Sequence, residues 1–297
     1  MEIYPTIPAK TIVTKAKNPS AWFGAEYNMN IYRGCSHGCI YCDSQSDCYR
    51  NTDFDTVKAK ENALQIIRDE LRRKVMTGVI ATGAMSDPYN PLERKSKLTR
   101  HALELINAFG FGVAIDTKSA LVTRDVDILR DIKTHSPAIV KITITTADDE
   151  LCKKIEPHVS STTERFEALS VLAGSGIFCG VLMMPILPFV NDTEENIVGI
   201  LHRAKKAGAR FVYPALGMTL RQGNREYYYE QLDKLFPQIK EKYIREYDCR
   251  YQCTSPKAKK LWGVLVAECD RLGLLYDMRA IIRQYKAGYD KQQISLF

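Results

Sequence analysis

Between Ala25 and Leu216 two hydrophobic periods alternate along the chain, and this alternation restricts the fold more than any other feature. Val79 to Thr82, Gly112 to Asp116, Ala138 to Thr145, Phe178 to Met183 and Arg210 to Tyr213 are short apolar or β-branched runs, as expected of strands buried on both faces. Between them, Lys60 to Lys74, Thr99 to Phe109, Asp125 to Lys133, Thr162 to Ala173 and Glu194 to Ala207 carry apolar residues at helical spacing. Gly110 and Gly208 stand where helices end, and Thr193 stands where one begins. With Ala25 to Ile31 as a first strand, the pattern is βα repetition, which implies a parallel sheet with helices packed outside it.

The expected architecture is therefore α/β, a partial (β/α)6 TIM-like barrel over residues 25–216. Residues 1–24 read as an irregular N-terminal segment. After Leu216 the alternation stops, and Tyr227 to Phe236 and Lys257 to Leu272 suggest a helical C-terminal extension over 217–285, with a polar, flexible tail at 286–297. In a barrel of this kind the loops at the C-terminal strand ends converge, so chemistry is expected there.

The 297 residues are 45% hydrophobic and 26% charged, which disfavours disorder and a coiled coil. The start of the chain lacks a basic region followed by an apolar stretch, and no run approaches the roughly 20 apolar residues that span a bilayer. Nine cysteines without an export signal read as thiols or metal ligands, and a cytoplasmic location is expected. A net charge of +7 suits an anionic partner such as nucleic acid, but solvated lysines would give it equally.

The chemistry concentrates in Cys35-Ser36-His37-Gly38-Cys39-Ile40-Tyr41-Cys42, where three cysteines are separated by three and then two residues just after a predicted strand. Three thiolates in one loop can each hold one iron of a cubane, leaving a fourth iron open. Gly38 permits a sharp backbone path, and Tyr41 can set its ring beside a cluster or a bound adenine. The alternative is a tetrahedral zinc site completed by His37 or Cys48.

This spacing, with an aromatic residue before the last cysteine, resembles the radical S-adenosylmethionine superfamily. The stretch from Tyr32 to Cys42 is similar to the branch related to spore photoproduct lyase, often labelled DNA repair photolyase-like. The similarity continues at Ser86-Asp87-Pro88-Tyr89-Asn90-Pro91-Leu92-Glu93, at Asp116-Thr117-Lys118-Ser119, and at Glu156-Pro157 followed by Arg165. The resemblance implies a 4Fe-4S cluster on Cys35, Cys39 and Cys42, with S-adenosyl-L-methionine on the open iron. One-electron reduction, from a donor such as flavodoxin or ferredoxin, would then cleave the cofactor to methionine and a 5'-deoxyadenosyl radical.

Carried over by position, Ser86 would contact the methionyl part of S-adenosylmethionine, Lys118 its carboxylate and Thr143 its ribose, with Arg165 a further carboxylate partner. Asp87 and Tyr41 complete the candidate cofactor set. A ligand bearing a carboxylate, an ammonium and a ribose needs a cation, an acceptor and hydroxyls around one pocket, which these residue types supply. Two departures bear on the reaction. Spore photoproduct lyase carries a hydrogen-donating cysteine two residues before the matching Ser-Asp pair, where this chain has Ala84. Relatives often have an aromatic residue after the last cluster cysteine, where this chain has Asp43.

The resemblance and the basicity together point to a lyase-like enzyme acting on nucleic acid in DNA repair. Modification of a protein or small metabolite is one alternative, and a non-catalytic zinc-stabilised nucleic-acid binding module is another. Cys249, Cys253 and Cys269 match no defensible metal spacing, and Cys152 and Cys179 read as ordinary thiols. Three basic groups stand out: Arg72-Arg73-Lys74; Arg94, Lys95, Lys97 and Arg100; and Lys257, Lys259 and Lys260. Facing the barrel mouth, they could track a phosphate backbone, with Trp262 or the Tyr227 to Tyr229 run as stacking surfaces; a solvated helix face is the alternative for each. The final Gln293-Ile294-Ser295-Leu296-Phe297 resembles the bacterial sliding-clamp binding peptide, with Gln293, Leu296 and Phe297 as the contacts; a tail folded onto its own domain is the alternative.

Overall fold

The computed structural model describes residues 4–19, 21–50 and 53–289. Short strands β1 (Thr6–Ile7), β2 (Val13–Lys15), β3 (Tyr27–Met29), β4 (Tyr32–Arg33) and β5 (Lys58–Lys60) precede α1 (Ala63–Arg72). The alternation follows as β6 (Val79–Thr82), α2 (Glu93–Ser96), α3 (Leu98–Ala108), β7 (Gly112–Thr117), α4 (Val126–Lys133) and β8 (Ala138–Thr143). It continues with α5 (Asp149–Ile155), α6 (Thr162–Gly174), β9 (Phe178–Met183), α7 (Glu194–Lys206) and β10 (Phe211–Pro214). The C-terminal region adds β11 (Gly217–Thr219), α8 (Asn224–Leu235), α9 (Ile239–Tyr247), β12 (Gln252–Thr254), α10 (Ala258–Leu272) and α11 (Met278–Lys286).

The main sheet runs β2-β3-β6-β7-β8-β9-β10, with β3 through β10 parallel and β2 antiparallel on the β3 edge. It is the partial barrel that the alternation implies, and β2 and β10 are its two open edges. The registers explain why the strands read as continuous apolar runs. Ile80 lies across from Val113, Ile115 from Val140, and Ile142 from Val181, which faces Val212. That layer packs outward against the helices, and burying each such side chain contributes roughly 1.5–3 kcal/mol.

The alternate residues point to the concave face, where Val79, Ala81, Ala114, Ile139, Leu182 and Phe211 form a separate apolar cluster. Asp116, Lys141, Gly180 and Phe211 occupy one row across this face. Gly180 leaves room for the Phe211 ring, since a Cβ there would stand 2.5 Å from it. Phe23, Ile281 and Tyr285 fill the concave face between the edges, tied by the Tyr285 hydroxyl, which donates to the Phe23 carbonyl at 2.5 Å.

The structure shifts some expected boundaries. The cysteine loop follows β4, which pairs with β5, and not the first strand of the main sheet. Lys60 belongs to β5, and α1 begins only at Ala63 because Asn62 takes a left-handed turn with φ of 52°. The extension is not wholly helical: β11 and β12 form an antiparallel ribbon whose three-residue strands are too short to show an alternating pattern. Thr193 does cap α7, accepting from the Asn196 amide. No helix among the described residues is long and apolar enough to cross a membrane. Gln293, Leu296 and Phe297 lie outside the described residues.

Candidate functional site

The path of the cysteine loop is set where it leaves β4. Gly34 has φ of +81°, and a Cβ on it would stand 2.4 Å from the Thr56 carbonyl oxygen, so only glycine fits. Backbone bonds then pin the loop along its length: the Cys35 amide donates to Phe54, Ile40 to Ile155, Cys42 to Cys39, and His158 to the His37 carbonyl. The Asn224 amide group adds a bond to the Cys42 carbonyl at 2.8 Å. The loop is thus clamped by the end of α5 and the start of α8.

Cys35, Cys39 and Cys42 line a single cavity of about 90 Å³ together with Ser86, Asp87, Lys118 and Thr143. These residues follow or end β6, β7 and β8, at the C-terminal edge of the sheet where a barrel gathers its chemistry. Asp87 knits the elements: its carboxylate accepts from the Tyr89 amide (2.8 Å), the Thr117 hydroxyl (2.7 Å) and the Lys118 amide (2.7 Å), and lies 3.5 Å from His37 Nδ1. Ser86 donates to the Gly34 carbonyl, tying the turn after β6 to the root of the cysteine loop.

The electrostatics keep a cation in the cavity among several acidic groups. Burial alone would lower the Lys118 pKa, but Cys39, Glu156, Cys42 and Asp87 outweigh it and keep the ammonium charged. Burial opposes ionisation of Cys35 too, and His37 more than offsets that. Burial pushes the Cys39 and Cys42 thiols up despite the nearby Lys118. Thiols in such surroundings ionise most readily when a metal takes the charge.

Arg165 does not line the cavity. It is wholly buried, and its guanidinium donates to Glu156 Oε2 (2.6 Å), to the Thr143 carbonyl (2.6 Å) and to Cys152 Sγ (2.8 Å). Glu156 also accepts from the Tyr41 hydroxyl, so one buried carboxylate joins the cysteine loop to α6. Sequence reasoning did not place Glu156 in the site, although it stands in the Glu-Pro pair of the family-like stretch. The Tyr41 ring has the Lys118 ammonium 5.8 Å from its centre.

A second cavity of about 790 Å³ adjoins the first, and the two share Cys42, Ser44, Ala84 and Lys118 as lining residues. Met184, Pro185, Pro214, Leu216 and Met218 give it apolar walls, and the β11–β12 ribbon supplies Thr219, Gln252 and Thr254. Asp43 also faces it, with its carboxylate 3.4 Å from Arg221 Nε.

The donor set fits a four-iron cluster. Three thiols face one cavity, and among the described residues no three His, Cys, Asp or Glu side chains surround a single-ion position. Thiolates on separate irons of a cubane have no need to converge on one point, whereas a zinc site gathers four donors about one ion. His37 instead lies beside Asp87, and the exposed Cys48 accepts from Arg221 Nη1 at 3.3 Å. Cys253 and Cys269 are buried in different apolar clusters and Cys249 is exposed. Cys152 and Cys179 are buried.

The family model described as the Radical SAM superfamily matches residues 29–210. The chain belongs to this superfamily. Among its relatives, an uncharacterized protein of Mycobacterium tuberculosis is 29% identical over 245 residues, covering 80% of this chain and 72% of that one. An uncharacterized protein of Methanocaldococcus jannaschii is 36% identical over 192 residues, covering 63% of this chain and 71% of that one. Among solved structures, spore photoproduct lyase complexed with dinucleoside spore photoproduct aligns with a TM-score of 0.61 at 16% identity, covering 84% of this chain and 75% of that chain. The radical S-adenosylmethionine methyltransferase TsrM from Kitasatospora setae aligns with a TM-score of 0.52 at 12% identity, covering 82% and 51%. These likenesses establish a shared radical SAM fold.

Proposed function

We propose that the smaller cavity holds a 4Fe-4S cluster on Cys35, Cys39 and Cys42, that S-adenosylmethionine reaches from it into the adjoining end of the larger cavity, and that the enzyme acts on nucleic acid presented through the rest of the larger one. One observation carries this reading: the three cysteines share a cavity with Ser86, Lys118 and Thr143, and that cavity adjoins a larger one at Cys42, Ala84 and Lys118. When bound, the cluster and cofactor supply reductive cleavage of the sulfonium to methionine and a 5'-deoxyadenosyl radical. The chain's own work is to place and shield. Lys118 is the cation for the cofactor carboxylate, Ser86 faces the methionyl part, and Thr143 offers a hydroxyl to the ribose. Asp87 fixes Lys118 through its backbone, and Arg165 fixes Thr143 through its carbonyl. The apolar walls of the larger cavity limit water near the reacting atoms.

Nucleic acid as the substrate is supported by the fold shared with spore photoproduct lyase and by the net charge of +7. Ala84, at the edge of both cavities, brings no thiol where the resemblance implies a hydrogen-donating cysteine, which speaks against repair of the spore photoproduct by that route. Anaerobically reconstituted protein is expected to be brown, to carry about four irons, and to form 5'-deoxyadenosine faster with single-stranded or damaged DNA than with peptides. Colourless protein holding stoichiometric zinc would overturn the cofactor assignment, and stimulation by peptides alone would overturn the substrate.

A further inference from the structure

Helix α10 forms one wall of the larger cavity through Ala258, Lys259 and Trp262. The helix is anchored by Leu261, Leu265 and Cys269, which are buried in the main core, and Trp262 stands at the edge of that buried stripe. Trp262 is 46% exposed, and the Tyr276 ring meets it edge-on at 6.1 Å. A large indole left half in water at the mouth of an apolar cavity is a surface that a flat ligand can cover.

The charges beside it divide in an informative way. Lys257 lies 3.7 Å from the Asp192 carboxylate and Lys260 pairs with Glu194, so both are neutralised. Lys259, which lines the cavity, has no carboxylate partner among the described residues. In the same lining, Thr219, Gln252 and Thr254 of the β11–β12 ribbon supply hydroxyl and amide groups. One wall therefore offers an aromatic face and an unneutralised cation, and another offers donors and acceptors.

We propose that Trp262 and Lys259 form the recognition platform for one unpaired nucleotide, the base stacking on the indole and the phosphate meeting the ammonium. The match is chemical: a base has a flat π-face and a polar edge, and its phosphate carries the charge that Lys259 lacks a partner for. With S-adenosylmethionine reaching into its Cys42 and Lys118 end, what is left of the cavity of about 790 Å³ suits a single unit of the nucleic-acid chain. An aromatic peptide side chain would use the indole but leave Lys259 and the polar edge without a role. The platform lies beyond residues 29–210, outside the part of the chain that matches the superfamily. This inference rests on the reading of the larger cavity as the substrate site.

The test is binding without turnover. Single-stranded DNA is titrated into cluster-loaded protein, with tryptophan fluorescence and anisotropy of a labelled oligonucleotide as readouts. The expected results are quenching in the native protein, about a tenfold or greater rise in Kd for Trp262→Leu, and near-native binding for Trp262→Phe, which keeps a ring. Lys259→Met should lower the slope of log K against log salt by about 0.7. Native affinity in Trp262→Leu, an unchanged salt slope in Lys259→Met, or an aromatic peptide of equal length binding as well as the oligonucleotide would overturn the platform. Iron content and S-adenosylmethionine binding, measured on the same samples, report separately on the cofactor reading.

Discussion

Removing the Arg165 guanidinium should be among the most damaging single changes in this chain. The side chain and its partner Glu156 are both 0% exposed, so Arg165→Met strands a buried carboxylate and leaves the Thr143 carbonyl without its donor. Breaking a buried pair from one side costs about 3–5 kcal/mol, against a total stability of about 5–15 kcal/mol for an ordinary domain. The double variant Glu156→Gln/Arg165→Met removes both charges and is expected to recover much of that loss. Urea melts of the cluster-free protein at pH 7 give all three stabilities and the coupling between the positions. The pair also carries a pH signature. Burial alone would raise the Glu156 pKa, but Arg165 and Lys118 outweigh it and hold the carboxyl below its ordinary value. The pair's contribution is therefore complete above the unfolded carboxyl pKa of about 4.3 and is lost as pH falls through the folded value. The double variant should lack this acid-side loss. A cost below about 1 kcal/mol for Arg165→Met, or a double variant no more stable than the single, would refute the argument.

Three further outcomes follow from the same geometry. Lys141→Met should destabilise the concave face, because it removes the ammonium 2.6 Å from Asp116 Oδ1 and leaves that acid buried; Asp116→Asn/Lys141→Met should melt closer to native, and equal melting of both variants would count against the pairing. Gly34→Ala should abolish iron loading while the far-UV spectrum stays native, since its Cβ collides with the Thr56 carbonyl at the root of the cysteine loop; full iron content would show that the loop can move aside. With the cluster in place, a thiol reagent at neutral pH should modify Cys48 and Cys249, the exposed cysteines, and spare Cys179, Cys253 and Cys269. Burial pushes Cys179 and Cys269 up to about 12 and Cys253 to about 11, so mass spectrometry finding these three labelled in folded protein would contradict their burial.

The parallel sheet was legible because each strand buries both faces, which writes an unbroken apolar run into the sequence. Val79 to Thr82 and Phe178 to Met183 match their observed strands for this reason. The cysteine loop was legible because Cys35, Cys39 and Cys42 fall in one short segment, so their spacing is visible without the fold. The β11–β12 ribbon was not, since three residues from each of two distant segments leave no periodic trace. Arg165 shows a different limit. A cation in a family-like stretch reads the same whether it faces a ligand or a buried carboxylate, and only the fold places its guanidinium on Glu156. Lys141 reads as a blemish in an apolar strand until the register sets it beside Asp116.

The two cavities draw on different parts of the chain, and under the proposed reading this separates radical generation from substrate choice. The smaller one is built from the cysteine loop and the ends of β6, β7 and β8, all within the superfamily match. The larger one takes much of its lining from residues 214–262, beyond that match. Substitutions in β11, β12 or α10 are therefore expected to change the larger cavity while leaving iron loading on Cys35, Cys39 and Cys42 intact. Ala84 and Asp43 sit where the two regions meet. There Ala84 offers no thiol and Asp43 offers an acid paired with Arg221, while Ser86 braces the cysteine loop through the Gly34 carbonyl. On the proposed reading, kinship within residues 29–210 bears on the cofactor more directly than on the reaction, and the proposed wall of Lys259 and Trp262 is where substitutions should change substrate choice.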